Sequence, residues 1–322
     1  MHDRKRLVPW FVMLLVTGCG ARSTPPRPSA GVLADAELGL RVAARVARVA
    51  WPDWVPGKVP FVVVGRHEQW QFRADAPPPG YAPHAFPSSL GPMFRAPSLT
   101  RPDGTRESFL SPRFFASADR INGSITFTIV EPGLAPFPRV VWAAIFTHEY
   151  FHAFQMQDPR WEEDLLAATQ AARRSLMDAY NSGALRSSVD AERARVKALL
   201  QRLADGHALE VADVEPLVAL RAARLHGARD AERALERMEG TARLVEETLD
   251  DHAGILADLI PHWQPEPAAA RMDRWLGVTD GEFYYATGHG LARLLEATGC
   301  PWREQLRGRD LGELLLECVR RR

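Results

Sequence analysis

The amino-acid sequence predicts an α+β fold, in which a small N-terminal mixed sheet packs on one buried helix and a mainly helical C-terminal half follows. Two segments before residue 130 indicate strands. Residues 61–64 are a run of Phe and Val, and residues 124–129 alternate apolar with hydroxyl-bearing side chains, as a half-buried strand with one polar face does. After residue 160 the apolar residues recur three and four positions apart, so this half should be helical.

Length and charge indicate a globular protein without a nucleic-acid partner. The 322 residues suffice for one large domain, and 46% of them are hydrophobic and 25% charged. Basic and acidic residues number 40 each, and nothing in their distribution suggests the basic patch or stripe that binds nucleic acid. We therefore expect no nucleic-acid partner.

Residues 1–18 have the composition of an export signal. Residues 4–6 are basic, and residues 7–16 form an apolar run that is too short for a permanent membrane-spanning helix. Small residues then precede Cys19. This order resembles the lipobox of bacterial lipoproteins, which implies that Cys19 becomes the lipid-bearing first residue of the mature chain. An ordinary secretory signal with an incidental cysteine is the alternative.

The residues that follow the lipobox-like segment indicate where the protein resides. Residues 19–32 are rich in Pro and Ser and are predicted to be an extended tether from the membrane to a domain over residues 33–322. Gly20 stands where Asp would favour the inner membrane, so the resemblance implies the outer membrane, with the protein facing the periplasm. In that oxidising compartment Cys300 and Cys318 can form a disulfide or remain two separate thiols.

One long loop and several helices are predicted for the rest of the chain. Residues 74–113 are rich in Pro and Gly and should be irregular, and loops of this length are usually functional or disordered. Thr279 and Glu282 form a capping-box signature at a helix start. The spacing of apolar residues predicts helices over residues 33–50, 161–181, 188–204, 208–225, 229–259 and 280–297.

Residues 148–152, HEYFH, give the motif H-E-x-x-H within a predicted helix that begins near Pro138. Positions four apart lie on one helix face, so His148 and His152 can bind one tetrahedral metal ion. Glu149 between them can take a proton from a water molecule at that metal. The helix is apolar on all sides and should be buried, where unpartnered histidines are costly. Two hydrogen-bonded core histidines without a metal are the alternative.

Catalytic zinc usually has three protein ligands, so another residue must come from elsewhere in the chain. Glu239 lies at the border of the apolar face of a later helix, and Gly240 beside it would let another helix approach closely. Glu246, two turns further along the same border, is a candidate to orient one of the histidines by hydrogen bonding. Asp158, six residues after His152, remains a rival third ligand.

The H-E-x-x-H helix, together with the later sequence Glu-Gly-Thr-Ala that begins at Glu239, resembles the gluzincin type of zinc metallopeptidase. The resemblance implies a zincin-like fold. It also implies that His148, His152 and Glu239 bind zinc and that Glu149 is the general base.

The chain departs from this pattern at two places. Thermolysin-like members have Asp four residues after the ligand Glu, where this chain has Arg243. In aminopeptidases of this type the ligand Glu lies much closer to the second His than Glu239 does here. The longer separation implies a helical insertion, for which residues 160–225 are the candidate.

A hydrolase of this kind gains from a hydrogen-bond donor for the oxyanion that develops on the substrate. The candidates are Tyr284, Tyr285 and His289, because in many related enzymes a Tyr or His beyond the third ligand has this role. The alternative is that the two tyrosines only pack a helix in the core.

The sequence as a whole predicts a lipid-anchored zinc metallopeptidase of the cell envelope that acts on a peptide or protein. The strand near Ile125–Ile129 is expected to form the upper rim of the cleft and to bind an extended peptide along its polar edge. Two alternatives stay open. One is a non-catalytic envelope lipoprotein that binds a metal or a partner, and the other is a zinc hydrolase of substrates other than peptides.

Overall fold

A computed structural model gives the fold of most of the domain that was predicted from the sequence. The leader, Cys19 and the capping-box residue Thr279 lie outside the described residues. In the part that is described, no helix is both long and apolar enough to cross a membrane. The structure describes residues 30–57, 59–84, 90–97, 116–121, 123–134, 138–224, 228–260, 264–267, 270–271, 276 and 282–322.

In the described part of the chain six strands form one mixed sheet, which confirms the expected α+β class. Strands β1 and β6 are parallel, and every other neighbouring pair is antiparallel, in the order β3-β4-β2-β1-β6-β5. The strands are β1 (Phe61–Val64), β2 (Glu68–Phe72), β3 (Ala82–Pro83), β4 (Met93–Pro97), β5 (Ala116–Ile121) and β6 (Ser124–Val130).

The prediction for β6 is right about where the strand lies in the chain and wrong about which of its faces and edges are exposed. The strand is paired on both sides, with β1 and with β5, so it offers no edge to a peptide. Thr126 and Thr128, which were expected on a solvated face, are buried. The edge of the sheet on this side is β5, whose sequence ASADRI has too few large apolar residues to give a strand pattern.

The helical half follows the sheet as expected, with changes in where some helices end. The region 161–181 is divided, because the Thr169 side chain accepts from the N–H of Ala172 and caps a new helix. The helix expected over 229–259 ends at Asp251. The helices are α1 (Ala30–Ala50), α2 (Arg139–Gln155), α3 (Glu162–Ala167), α4 (Gln170–Asn181), α5 (Arg186–Ala204), α6 (Val211–Ala223), α7 (Arg229–Asp251), α8 (Tyr284–Ala297) and α9 (Leu311–Arg320).

Helix α9 was not predicted, and helix α1 extends further than predicted. Asp310 caps α9 by accepting from the N–H groups of Gly312 and Glu313, a start signal that the sequence does contain. Helix α1 begins at Ala30, inside the segment expected to be an extended tether.

The structure also answers the open question about the cysteines, because Cys300 and Cys318 form a disulfide that joins the end of α8 to α9.

Helix α2 is held between the sheet and helix α7. It contacts β5 and β6 on one side and α7 and α1 on others. The Phe146 ring packs edge-on against Phe61 of β1 at 5.3 Å and against Phe127 of β6 at 4.9 Å. Aromatic pairs of this kind contribute about 0.5–1.5 kcal/mol each beyond the area they bury. The apolar side of α2 therefore anchors it on the sheet, and its histidine side faces α7.

Helices α7 and α8 approach each other more closely than side chains would allow. A Cβ atom on Gly240 of α7 would lie 2.6 Å from the Cα of Gly288 on α8. A Cβ atom on Gly288 would lie 2.7 Å from the Cα of Glu236. These contacts are between backbone atoms, which cannot move aside as the end of a flexible side chain can. The close approach of the two helices therefore requires glycine at both positions.

We expect Gly288→Ala to reduce the free energy of unfolding by about 1–3 kcal/mol, because the added methyl group must push α7 and α8 apart. Gly254→Ala is the matched control, since nothing lies within 4 Å of a Cβ atom there. Chemical denaturation of both variants measures the difference. Equal stability of the two variants would contradict the constraint at Gly288.

Candidate metal centre

Three buried side chains meet where helix α2 crosses helix α7. The Nε2 atoms of His148 and His152 are 3.0 Å apart. The Oε2 atom of Glu239 lies 2.9 Å from Nε2 of His152 and 3.6 Å from Nε2 of His148. We call these three residues the donor cluster. They have the arrangement expected from the sequence, with two imidazole nitrogens from one helix and a carboxylate oxygen from another.

A glutamine fixes the orientation of His152. The amide nitrogen of Gln155 donates to the carbonyl of Met238 at 3.1 Å and to the hydroxyl of Thr241 at 2.9 Å. Its amide oxygen is thereby turned to Nδ1 of His152, at 2.6 Å. An oxygen there accepts from Nδ1–H, which leaves the lone pair of His152 on Nε2, inside the donor cluster.

A carboxylate faces the outer nitrogen of His148. The Oε2 atom of Glu246 lies 3.2 Å from Nδ1 of His148 and accepts from the Arg243 guanidinium at 2.6 Å. Arg243 also lies over the ring of Tyr285, 5.2 Å from its centre. Glu246 is therefore where its expected role, to orient a histidine, requires it to be.

The charges of the donor cluster favour a cation. Burial lowers the pKa of His148, but the carboxylates of Glu239 and Glu246 outweigh burial and raise that pKa to about 9. Burial alone would raise the pKa of Glu239, yet His152, His148 and Arg173 hold it well below its usual value. The site thus keeps its carboxylates ionised and holds a proton on His148. Because metal binding displaces such protons, a divalent ion can take over the positive charge.

The donor set fits zinc. Zinc prefers imidazole nitrogen and carboxylate oxygen, in tetrahedral sites with three protein ligands and one open position when the site is catalytic. The three ligand atoms of the donor cluster lie within 4.8 Å of one another. These atoms are the Nε2 atoms of the two histidines and Oε2 of Glu239, which lie 2.9–3.6 Å from one another.

Glu149 lies next to the donor cluster in the same cavity. The cavity has a volume of about 530 Å³, and Glu149, His148 and His152 all line it. Burial raises the pKa of Glu149, and so does the carboxylate of Glu239, while the two histidines lower it. The net rise brings the carboxyl group closer to the pKa at which it can both take and return a proton near neutral pH.

Of the three expected oxyanion donors, Tyr285 is the one that lines the cavity. Its ring is stacked 6.2 Å from the ring of His148. Burial raises the pKa of Tyr285 well above its usual value, so the hydroxyl keeps its proton and can donate it in a hydrogen bond. Tyr284 instead points to Glu282, at 3.4 Å. His289 lies 2.6 Å from the carboxylate of Glu247, and neither it nor Tyr284 is among the residues that line the cavity.

Asp158, the rival third ligand, lies outside the donor cluster. Its carboxylate accepts from the backbone N–H of Arg160 at 2.9 Å and from the Arg160 guanidinium at 2.8 Å. Helix α2 ends at Gln155, and Asp158 caps the following 3-10 turn rather than returning toward His152. The side chain is thus already engaged by Arg160.

A second group of buried carboxylates does not have the character of a metal site. In the described part of the chain, Glu192, Glu232 and Glu236 also bring ligand atoms within 4.8 Å of one another. Arg221 pairs with Glu192 and Glu236, and Arg224 pairs with Glu192 and Glu232. Guanidinium groups already neutralise these carboxylates, so the group is a buried ion network.

Sequence reasoning missed three residues that surround the donor cluster. None of the three belongs to the H-E-x-x-H motif. Gln155 lies one turn after the second histidine on α2, Arg173 lies on α4, and Arg243 lies on α7. The signal for Gln155 was its place on the same helical stripe as the two histidines. Arg173 contacts Glu239 across 66 residues, and no local pattern predicts a contact of that kind.

We expect Gln155→Leu to weaken zinc binding about 10–100-fold, because His152 would lose the acceptor that holds its lone pair inward. Gln157→Leu makes the same chemical change at an exposed position two residues away and should leave the affinity unchanged. Competition with a chromophoric chelator measures both constants. Equal affinities in the two variants would show that Gln155 has no influence on the site.

Comparisons with protein-family models, with curated proteins and with solved structures found no match to this chain. The function of the donor cluster is therefore inferred from its own residues and their geometry.

Proposed function

We propose that the protein is a zinc-dependent metallopeptidase with a zincin-like active site. The observation that carries this proposal is the shared cavity, in which Glu149 lies beside two imidazole nitrogens and one carboxylate oxygen. A purely structural metal site has four protein ligands and no use for an ionisable group in a cavity beside it. Here three donors would leave a bound zinc ion one position for water, and all three donors line the cavity.

His148, His152 and Glu239 would hold the zinc ion. When bound, zinc polarises a substrate carbonyl and lowers the pKa of a water molecule to near neutrality. Gln155 and Glu246 contact the outer nitrogens of the two histidines and would orient their inner nitrogens toward that ion.

The chain supplies the proton transfers. Glu149 takes a proton from the attacking water and later gives it to the nitrogen of the leaving amine, so that the C–N bond breaks without a free amide anion. Tyr285 donates a hydrogen bond to the oxyanion that develops on the carbonyl oxygen. Its raised pKa ensures that it remains a donor through the neutral range.

An edge strand beside the cavity supports a peptide substrate. Ala116, Ser117 and Ala118 of β5 line the same cavity as the histidines. In the described sheet β5 has β6 on one side and no strand on the other. A peptide in extended conformation can add to such an edge through backbone hydrogen bonds. This takes the place of the expected binding at β6.

The resemblance to gluzincins is part of the proposal, and the structure gives the contacts of the position where the chain departs from thermolysin-like enzymes. In this chain Glu246, seven residues after Glu239, faces the outer nitrogen of His148. Arg243, at the position of the Asp in thermolysin-like enzymes, donates to Glu246 instead.

The place of action in this proposal is the bacterial cell envelope. Cys19 would carry the lipid that holds the protein at the outer membrane, facing the periplasm. The disulfide between Cys300 and Cys318 supports an oxidising compartment, because disulfides are rare in reducing ones.

Metal content tests the centre directly. We expect about one zinc ion per purified full-length chain by elemental analysis, because one catalytic site needs one ion. The double variant His148→Ala/His152→Ala should contain none, since it keeps only one of the three ligands. Circular dichroism checks that both proteins are folded. A folded wild-type chain that takes up no zinc would refute the metal site.

Glu149→Gln tests catalysis separately from metal binding. The variant should keep its zinc and lose hydrolysis of a peptide library by a factor of about 10²–10⁴, because the amide cannot accept the proton. Glu162→Gln, at an exposed position on α3, is the matched control and should hydrolyse as the wild type does. Equal turnover in the two variants would remove Glu149 from the mechanism. Zinc binding by a wild-type chain that cleaves no peptide would leave a metal site of another function.

A further inference from the structure

The two oxygens of Glu239 have different partners. Oε2 belongs to the donor cluster, at 2.9 Å from Nε2 of His152. Oε1 accepts from the guanidinium of Arg173 at 2.5 Å. Glu239 is almost completely buried, and the Arg173 side chain is only 21% exposed, so water screens this ion pair weakly.

Arg173 comes from helix α4, which is fixed independently of the donor cluster. The helix starts at the Thr169 cap, and the backbone N–H of Arg173 donates to the Thr169 carbonyl at 2.9 Å. Leu176 and Tyr180 follow on the same face and are fully buried in a small apolar cluster with Phe283 and Leu235. These contacts determine where the guanidinium can lie.

The ring of Tyr284 also packs against the Arg173 guanidinium. Arg173 lies over the Tyr284 ring, 5.8 Å from its centre, and its charge lowers the otherwise raised pKa of that tyrosine. Cation–π contacts of this kind are worth about 0.5–2 kcal/mol, more when they are buried. Tyr284 was expected to be an oxyanion donor, and its contacts fit the support of Arg173 better.

We infer that Arg173 is a positioning residue that binds Oε1 of Glu239 and so restricts this carboxylate to one oxygen as a metal ligand. The inference rests on the proposed metal centre. It also gives the helices after α2 a part in the site, since the region expected to be an insertion supplies the residue that orients the third ligand.

The consequence for chemistry is an open coordination position. A carboxylate that turned both oxygens inward would occupy two positions and compete with water for the last one. With Oε1 held by Arg173, the three protein ligands would leave a bound zinc ion its fourth position for water.

The experiment compares Arg173→Ala, Arg173→Lys and Arg174→Ala in the full-length chain. Arg174 is exposed on the same helix turn and makes the matched control. Zinc affinity is measured by chelator competition, and coordination by the visible absorption of the cobalt-substituted protein. A four-coordinate cobalt centre absorbs more strongly than a five-coordinate one, so the spectrum reports whether Glu239 binds through one oxygen or two.

We expect Arg173→Ala to lose zinc affinity about 10–100-fold and to give a weaker cobalt spectrum, as removal of a residue that orients a ligand does. Arg173→Lys should recover part of the affinity through its charge, and Arg174→Ala should match the wild type. A folded Arg173→Ala protein with wild-type affinity and a wild-type spectrum would overturn the inference and leave the metal centre standing. A wild-type chain that binds neither zinc nor cobalt would overturn both.

Discussion

The burial of glutamates on helix α7 is the constraint on which the rest of the structure depends. Each needs a positive partner, since a buried carboxylate without one costs several kcal/mol. Each has at least one such partner from outside α7, so the ion pairs help to determine which helices surround it. The buried glutamates are Glu232, Glu236, Glu239, Glu246 and Glu247.

The partners of these glutamates divide α7 into regions with different tasks. Near its start, Arg221 and Arg224 of the α6 region neutralise Glu232 and Glu236 and form a permanent ion network. Further along, Glu239 and Glu246 face the imidazoles of α2. Arginine stays charged at any physiological pH, whereas a histidine proton can be exchanged for a metal ion. The same helix therefore carries a structural network and a site that can bind a cation.

Close contact between α7 and α8 brings the remaining site residue into place. Gly240 follows Glu239 directly, and the backbone of α8 lies against it. Because no side chain separates the helices, Tyr285 at the start of α8 reaches the cavity beside His148. The glycines thus serve the site although neither contacts the cavity. They allow Tyr285, the proposed hydrogen-bond donor, and Glu239, the proposed metal ligand, to come from adjacent helices.

The sequence by itself determined the elements whose signals are local. The histidine pair and Glu149 follow from the helical period, which puts positions four apart on one face, and β1 and β6 follow from apolar patterns of four to seven residues. Glu239 could be named because its helix has a clear apolar border. The α+β class followed from the order of these elements.

The tertiary structure alone decided which edge of the sheet faces the cavity and which charges surround the donor cluster. Strand β5 has a weak pattern of its own and is stabilised by pairing with β6, so its place depends on the sheet and not on its residues. Arg173 and Glu239 are 66 residues apart, and their pairing follows from how α4 packs against α7. Local periodicity reports which face of an element is buried, but it carries no information on the partner that buries it.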